Sequence, residues 1–129
     1  MAVTLKGIIL FVQDVDRLKH FYIDHFNLAV AEEILSEWVL LKAGHCELGL
    51  HKIGADYLKT DESAARADNN TKIIFDIDED IFVVHGVLAE KSITISEIKT
   101  WEGYPYLVCD GEDYEGNVFQ LRMKKQAIL

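Results

Sequence analysis

The sequence has little proline and little cysteine, and each scarcity excludes a class of protein. Among 129 residues there are one proline and eight glycines, too few for a collagen-like or low-complexity chain. The two cysteines, Cys46 and Cys109, form no CxxC pair, so they support neither a disulfide framework nor a zinc site. We therefore expect two buried, free thiols and a cytoplasmic location.

Basic residues are also in the minority. Lys and Arg number 13 against 22 Asp and Glu, which gives a net charge of −9 at pH 7. The one adjacent basic pair is Lys124-Lys125. Because nucleic-acid binding depends on Lys and Arg contacts to phosphate, we expect no nucleic-acid partner. An acidic chain either gains solubility from its charge or attracts cationic ligands.

Long apolar runs are missing as well. The run Gly7–Val12 is shorter than the apolar core of a signal peptide, and no run approaches the ~20 residues of a membrane span. We therefore expect a strand at this position and no membrane partner. Hydrophobic residues still make up 50% of the chain, which is enough to bury the core of one domain of ordinary size.

The order of predicted elements repeats. Helices are predicted over residues 14–27, with Asp14 as N-cap and Asn27 as stop, and over 79–91. A polar linker covers 54–70, with one helical turn at Ser63–Ala67, and a turn covers 111–116. Strands are predicted over residues 5–13, 28–33, 36–43, 45–53, 72–77, 92–101, 104–110 and 116–124.

Residues repeat along with the elements. A shift of 65 positions places Ile8, Ile9 and Leu10 on Ile73, Ile74 and Phe75. Two half-chain copies of one pattern indicate two βαβββ modules, about 1–54 and about 70–129, within a single domain of residues 1–129. Each module is expected to bury its helix on one face of its sheet and to leave the other face for a space between the modules.

Two motifs resemble the vicinal oxygen chelate superfamily, which includes glyoxalase I, extradiol dioxygenases and the fosfomycin and bleomycin resistance proteins. The opening strand and helix resemble its pattern through Val12, Asp14, Phe21 and Tyr22. Residues 113–121 resemble its closing D-P-x-G-N-x-x-E-L motif, with Tyr114 in the usual place of proline. The resemblance implies the glyoxalase/bleomycin resistance fold, an α+β fold in which two tandem βαβββ modules form curved mixed sheets that enclose a cleft.

The resemblance also locates the positions that hold a metal ion in many members. Glu47 matches an acidic ligand, but Gly7 and Lys72 stand where histidines are usual, and Gln120 stands for a glutamate. Since a divalent ion bound by nitrogen and oxygen ligands takes three or four protein groups, we expect no metal and no cofactor. The nearest branch is then the metal-free, bleomycin-resistance-like one. Lys72 is expected to pair with Glu47 where the metal would lie.

Strand alternation names the residues that face the expected cleft. Glu47 and His51 are candidate catalytic residues, as an acid–base pair or as two metal ligands. The alternative is that they form an ordinary polar strand face. Trp38 and Tyr106 either line the cleft or belong to the hydrophobic core. The candidate ligand-binding residues are Phe11, Trp38, Lys72, Asp76, Trp101, Tyr104, Tyr106, Gln120 and Arg122.

These residues favour a protein that sequesters a small molecule in an acidic, aromatic-lined cleft without a metal. The alternative is a metal-dependent enzyme with a degenerate site, either a glyoxalase-type lyase or a dioxygenase, so enzymatic activity is left open. The resemblance also implies a homodimer, because many relatives complete their clefts with a second chain.

Overall fold

The computed structural model describes residues 1–58, 66–68 and 70–126, and it divides into two compact units, Met1–Arg66 and Ala67–Leu129. We call them unit 1 and unit 2. The predicted turn at Ser63–Ala67 lies mostly outside the described residues, and a short 3₁₀ turn is present at Ala55–Tyr57. That the two modules belong to one domain of residues 1–129 stays a prediction.

Unit 1 is a four-stranded sheet with one helix. Its elements are β1 (Gly7–Val12), α1 (Val15–Phe26), β2 (Ala29–Ile34), β3 (Trp38–Ala43) and β4 (Cys46–Lys52). The strand order is β1-β4-β3-β2, with β1 parallel to β4 and the other pairs antiparallel. β2 carries a bulge, because Val30 and Glu32 pair with the adjacent residues Leu41 and Leu40.

The caps predicted for the first helix are confirmed. The carboxylate of Asp14 accepts a hydrogen bond from the Arg17 backbone N–H at 3.0 Å, and Asn27 ends α1 in the left-handed conformation with φ 57°. The apolar side of α1 packs on one face of the sheet. The buried core of unit 1 consists of Val12, Val15, Leu18, Phe21, Tyr22, Val39, Leu41, Leu48 and Leu50.

Unit 2 repeats this plan with three strands. Its elements are β5 (Lys72–Asp76), α2 (Ile81–Glu90), β6 (Tyr106–Glu112) and β7 (Val118–Lys124), in the sheet order β5-β7-β6. β5 runs parallel to β7, and β6 runs antiparallel to it. Asp80 caps α2 by accepting a hydrogen bond from the backbone N–H of Phe82 at 2.8 Å.

The strand predicted over residues 92–101 is wrong as a regular strand. This segment follows β6 through two isolated bridges, Ile95 to Gly111 and Lys99 to Val108. Ser96 donates its backbone N–H to the carbonyl of Asp110, and its side-chain oxygen accepts the backbone N–H of the same residue. One residue lies between Val108 and Asp110 on β6, whereas two residues lie between Ser96 and Lys99. The extra residue breaks the ladder.

The turn predicted over 111–116 begins later than expected. Gly111 and Glu112 still belong to β6, because they pair with Phe119 and Val118 of β7. A side chain at position 111 would overlap the Phe119 ring. The turn itself is organised by the buried carboxylate of Asp113. It accepts hydrogen bonds from the backbone N–H groups of Glu115 and Asn117 and from the Asn117 side-chain amide.

In the part of the chain that the structure describes, neither helix has the length and apolar character needed to cross a membrane. Cytoplasmic location stays a prediction.

Candidate functional site

The sheet of unit 1 has one face packed against α1 and one open face. On the open face Gly7 lies opposite Glu47, and Phe11 lies opposite His51. His51 in turn lies opposite Trp38 across β3 and β4. Residues paired in this way project to the same side. The strand alternation read from the sequence therefore matches the register of the sheet.

Trp38 covers the middle of this open face. A side-chain carbon placed on Gly49 would come within 2.5 Å of the Trp38 ring and 3.1 Å of Ile9. Gly49 is therefore the residue that lets the indole lie flat against the strand backbone. The Trp38 ring is half-buried rather than part of the core, so part of its surface remains available to a ligand.

His51 lies beside two aromatic rings. Its ring centroid is 5.5 Å from that of Phe11, edge to face, and 5.9 Å from that of Trp38. Its Nδ1 is 2.8 Å from the backbone carbonyl of Lys52. Because a carbonyl only accepts hydrogen bonds, Nδ1 carries the proton. In the neutral ring, Nε2 is then the nitrogen with the lone pair.

A carboxylate joins this aromatic group. The indole N–H of Trp38 donates to Glu32 Oε2 at 3.0 Å. The bulge in β2 lies just before Glu32 and sets the face on which its side chain projects. Glu32, Trp38, His51 and Phe11 together form what we call the unit 1 cluster: three rings beside one negative charge.

Glu47 lies at the other end of β4 from His51. The two residues are four positions apart on an extended strand, which is about 13 Å, so they do not form a direct acid–base pair. Glu47 instead lies 3.0 Å from Lys6 Nζ. The pairing of Glu47 with Lys72 expected from the sequence stays a prediction.

The position of Gly7 decides how well the residues fit a metal. A side-chain carbon on Gly7 would overlap the backbone carbonyl of Glu47 on the paired strand. No ligand side chain is therefore accommodated at position 7 unless β1 and β4 move apart. Among the described residues, no three His, Cys, Asp or Glu side chains come together as a group that could hold a metal ion. These donors do not fit the ligand set that the resemblance implies.

The open face of the unit 2 sheet is organised by Arg122. Its Nε donates to Asp76 Oδ1 at 2.6 Å and its Nη2 donates to Asp76 Oδ2 at 3.0 Å. These hydrogen bonds lower the pKa of the Asp76 carboxyl from its ordinary value. Burial opposes this lowering, and the positive charge of Arg122 adds a smaller lowering of its own. The same hydrogen bonds raise the pKa of Arg122, so both groups are charged at neutral pH.

Aromatic rings continue from this ion pair. The guanidinium carbon of Arg122 lies 4.0 Å from the centre of the Tyr106 ring, a cation–π contact. The Tyr104 ring is 5.6 Å from that of Tyr106 and 5.6 Å from that of Trp101. The sequence-predicted residues Asp76, Arg122, Tyr106, Tyr104 and Trp101 therefore form one continuous group, which we call the unit 2 row. Its last member, Trp101, is 58% exposed.

Lys72 and Gln120 share one hydrogen-bond acceptor, the carboxylate of Asp110. Lys72 Nζ donates to Asp110 Oδ2 at 2.6 Å, and Gln120 Nε2 donates to Asp110 Oδ1 at 3.2 Å. Because its amide nitrogen is used in this way, Gln120 has its carbonyl oxygen left as an acceptor. Two of the four positions where the resemblance expected metal ligands are thus linked through one aspartate.

Two residues of these groups were missed from the sequence, Glu32 and Asp110. Asp110 could have been predicted from the sequence, because strand alternation from Tyr106 places residue 110 on the same face. Glu32 could not have been predicted in the same way. The bulge before it shifts the alternation of β2 by one residue, and no residue in Ala29–Ile34 indicates a bulge.

Comparison with known proteins supports the fold. A solved lactoylglutathione lyase from Agrobacterium tumefaciens superimposes with a TM-score of 0.72 at 16% identity, over 95% of this chain and 94% of that one. The fosfomycin resistance protein FosX from Listeria monocytogenes superimposes with a TM-score of 0.73 at 17% identity, over 97% and 96%. An integron cassette protein from V. cholerae gives 0.72 at 18% identity, over 97% and 98%. No protein-family model matches the sequence, and no curated protein matches it significantly.

The chain therefore has the fold of the vicinal oxygen chelate superfamily, as the two motifs predicted. It is an α+β chain of two small mixed sheets with two helices, like the glyoxalase and fosfomycin resistance structures. Placement in the metal-free branch stays a prediction, because a shared fold does not by itself determine chemistry.

Proposed function

We propose that this protein binds a small, planar organic cation on the open face of its unit 1 sheet and sequesters it without a metal. The observation that carries the proposal is the unit 1 cluster. The His51 ring lies beside the rings of Phe11 and Trp38, and the Trp38 indole donates to the carboxylate of Glu32. Exposed aromatic rings beside a negative charge bind cations and flat ring systems.

The charge of the chain supports a cationic ligand. A net charge of −9 at pH 7 attracts a positively charged molecule over a distance set by ionic strength. Phe11 is 66% exposed on the open face, although burial of a phenylalanine ring is favourable by ~1.5–3 kcal/mol. A ligand with an apolar ring would recover part of that free energy.

The test is a calorimetric titration with a bleomycin-type cationic compound, followed by titration of variants. Glu32→Gln keeps an acceptor for the Trp38 indole and removes the charge. It is expected to weaken binding about 10-fold, or ~1.4 kcal/mol. The matched control Glu97→Gln removes one charge from an exposed residue outside the unit 1 cluster, and it should leave the affinity almost unchanged. Equal losses in both variants would contradict a site at the cluster.

A metal-dependent lyase or dioxygenase is the alternative. It would need the metal as Lewis acid and template, with Glu47 as the surviving acidic ligand. The crowding at Gly7 argues against it, since the usual first ligand has no room there. Activity on the methylglyoxal–glutathione adduct or on catechols after addition of Zn²⁺, Ni²⁺, Mn²⁺ or Fe²⁺ would favour this alternative over sequestration.

A further inference from the structure

The aromatic part of the unit 2 row has a furrowed surface. The Trp101 and Tyr104 rings are inclined at 77°, and the Tyr104 and Tyr106 rings at 58°, with 5.6 Å between ring centres in each pair. Neighbouring rings that are inclined in this way leave a furrow between them, one on each side of Tyr104. Furrows lined by Tyr and Trp rings are the surfaces on which proline-rich segments dock.

The backbone fixes these rings in place before any ligand binds. The Trp101 carbonyl accepts the Tyr104 backbone N–H at 3.1 Å and the Lys125 ammonium at 3.2 Å. Gly103 turns the chain with φ 79°, a conformation that glycine favours. Pro105, the one proline of the chain, lies between the two tyrosines and restricts their backbone. Little conformational entropy is therefore lost when a ligand binds.

Charges along the row are balanced. Asp76 and Arg122 neutralise each other at one end. At the other end Glu102 follows Trp101 in the turn, and Lys125 donates to the Trp101 carbonyl. The row therefore has no local net charge with which to select a cation or an anion. It offers a ligand aromatic surface and hydrogen-bond donors.

Two of those donors are unused. Among the residues that the structure describes, neither the indole N–H of Trp101 nor the hydroxyl of Tyr106 has a hydrogen-bond partner. A chain in the polyproline II conformation complements them, because it makes no internal hydrogen bonds and presents its carbonyl groups as acceptors. The spacing also fits, since two successive steps of 5.6 Å between ring centres are close to one polyproline II turn of ~9 Å.

We propose that the unit 2 row is a docking surface for a proline-rich peptide segment in the polyproline II conformation. Its prolines occupy the furrows beside Tyr104, and its carbonyl groups accept hydrogen bonds from Trp101 and Tyr106. This proposal does not depend on the cation proposed for unit 1. Trp, Tyr and Arg, the residue types of the row, are also those most enriched among the energetically dominant residues of protein interfaces.

An oligosaccharide fits the row less well than a proline-rich segment. Each sugar hydroxyl that loses contact with water needs a polar partner in the protein. The carboxylate of Asp76 and the guanidinium of Arg122 already bond to each other, so the row has few partners left for a ligand with many hydroxyl groups.

The first measurement is an NMR titration of isotope-labelled protein with a decaproline peptide whose ends are blocked. The chain has two tryptophans, and Trp38→Phe and Trp101→Phe assign their two indole N–H signals. We expect decaproline to shift the Trp101 signal in a saturable way and to leave the Trp38 signal in place. A blocked Gly-Ser decapeptide, equally neutral but flexible, is expected to shift neither. A Trp101 signal that stays in place at about 1 mM decaproline, or that moves equally with both peptides, would overturn the proposal.

Substitutions in the row give the second measurement. Trp101→Ala is expected to weaken decaproline binding about 10-fold or more. Tyr106→Phe keeps the ring, removes the hydroxyl donor and is expected to weaken binding about 3-fold. The matched control Phe82→Ala removes a ring that is 61% exposed outside the row, and it should leave the affinity unchanged. Equal losses in Trp101→Ala and Phe82→Ala would contradict the site, and full affinity in Tyr106→Phe would contradict the contact with a peptide carbonyl.

The turn that holds Trp101 gives the third measurement. Gly103 and Gly44 both have positive φ, 79° and 62°, and a side-chain carbon on either would meet no atom within 4 Å. Alanine therefore strains both turns in the same way. Gly103→Ala is expected to weaken decaproline binding about 3-fold or more, since it loosens a preorganised surface, whereas Gly44→Ala should not. Equal effects of the two variants would contradict the role of the turn.

Two further titrations separate this proposal from other outcomes. A bleomycin-type cation is expected to move the Trp38 signal and not the Trp101 signal. If it moves neither while decaproline still moves Trp101, the proposed function fails and the docking surface stands. If cellohexaose moves the Trp101 signal and decaproline does not, the row binds carbohydrate and the docking proposal is overturned.

Discussion

The guanidinium of Arg122 holds the carboxylate of Asp76 in a two-point hydrogen bond, with distances of 2.6 Å and 3.0 Å. The two residues lie opposite each other on the parallel strands β5 and β7. The Tyr106 ring lies against the guanidinium, so Arg122 is fixed on two sides.

This pair predicts a pH dependence. Because the folded-state pKa of Asp76 lies below 3.8, its contribution to stability is present above about pH 3.8 and is lost as the pH falls through the lowered value. Arg122→Met is expected to return the Asp76 pKa toward its ordinary value, as measured by NMR titration of the side-chain carboxyl. The control Lys99→Met removes an exposed cation outside the pair. An Asp76 titration that is the same in both variants would contradict the assigned cause.

Restoring a histidine at position 7 is expected to fail as a route to metal binding. Gly7→His should destabilise the fold by ~1–3 kcal/mol, because the new side chain overlaps the Glu47 carbonyl. Denaturant unfolding measures the loss, and elemental analysis measures bound metal. In the control Gly54→His, the new side chain makes an ordinary contact with Tyr57, beginning at 3.6 Å. A stable Gly7→His variant with one bound metal ion per chain would refute this prediction.

The Asp113 carboxylate is expected to be essential for the turn before β7. It is 3% exposed and accepts hydrogen bonds from Glu115 and Asn117. Asp113→Ala leaves these buried donors without an acceptor, at a cost of ~1–3 kcal/mol for each group left unsatisfied. The loss is measured by urea unfolding. Glu97→Ala, which removes an exposed carboxylate, should change stability by less than ~0.5 kcal/mol, and equal losses would disprove the role of Asp113.

The two thiols are expected to differ in reactivity. Burial, with a smaller contribution from the Asp110 charge, raises the pKa of Cys109 to about 11. Cys46 is exposed, so the burial expected for this thiol from the sequence is wrong. Iodoacetamide at pH 8 should therefore label one site per chain, and Cys46→Ser should abolish that labelling. The raised pKa means that the folded state holds the proton longer than the unfolded one, so stability falls as the pH rises from about 9 toward 11. Rapid labelling in the Cys46→Ser variant would contradict the burial of Cys109.

Local signals in the sequence were sufficient for much of the fold. Asp14 and Asn27 cap the two ends of α1, as predicted, because capping is a property of a few adjacent residues. The shared face of Phe11 and His51 followed from strand alternation once the two strands were recognised. The whole-chain resemblance rested in part on turn and cap residues, such as Asp113 and Asn117.

The failures lie where tertiary pairing overrides local pattern. The segment 92–101 has the composition of a strand, but the extra residue between Ser96 and Lys99 exists only relative to β6. The position of Glu32 depends in the same way on the pairing of β2 with β3. The absence of space at Gly7 reflects how closely two backbones approach, and a sequence does not encode that distance in any single residue.

The bulge in β2 and the broken ladder beside β6 also have a consequence for solubility. A regular outer strand offers its unused amide and carbonyl groups to any other chain and so can seed fibril growth. In unit 1 the outer strand β2 is irregular at Ala31 and carries consecutive carboxylates at Glu32 and Glu33. In unit 2 the segment 92–101 runs beside β6, and its pairing with β6 is interrupted between Ser96 and Lys99. Both irregularities make these two borders poor templates for the amyloid-like stacking of further chains.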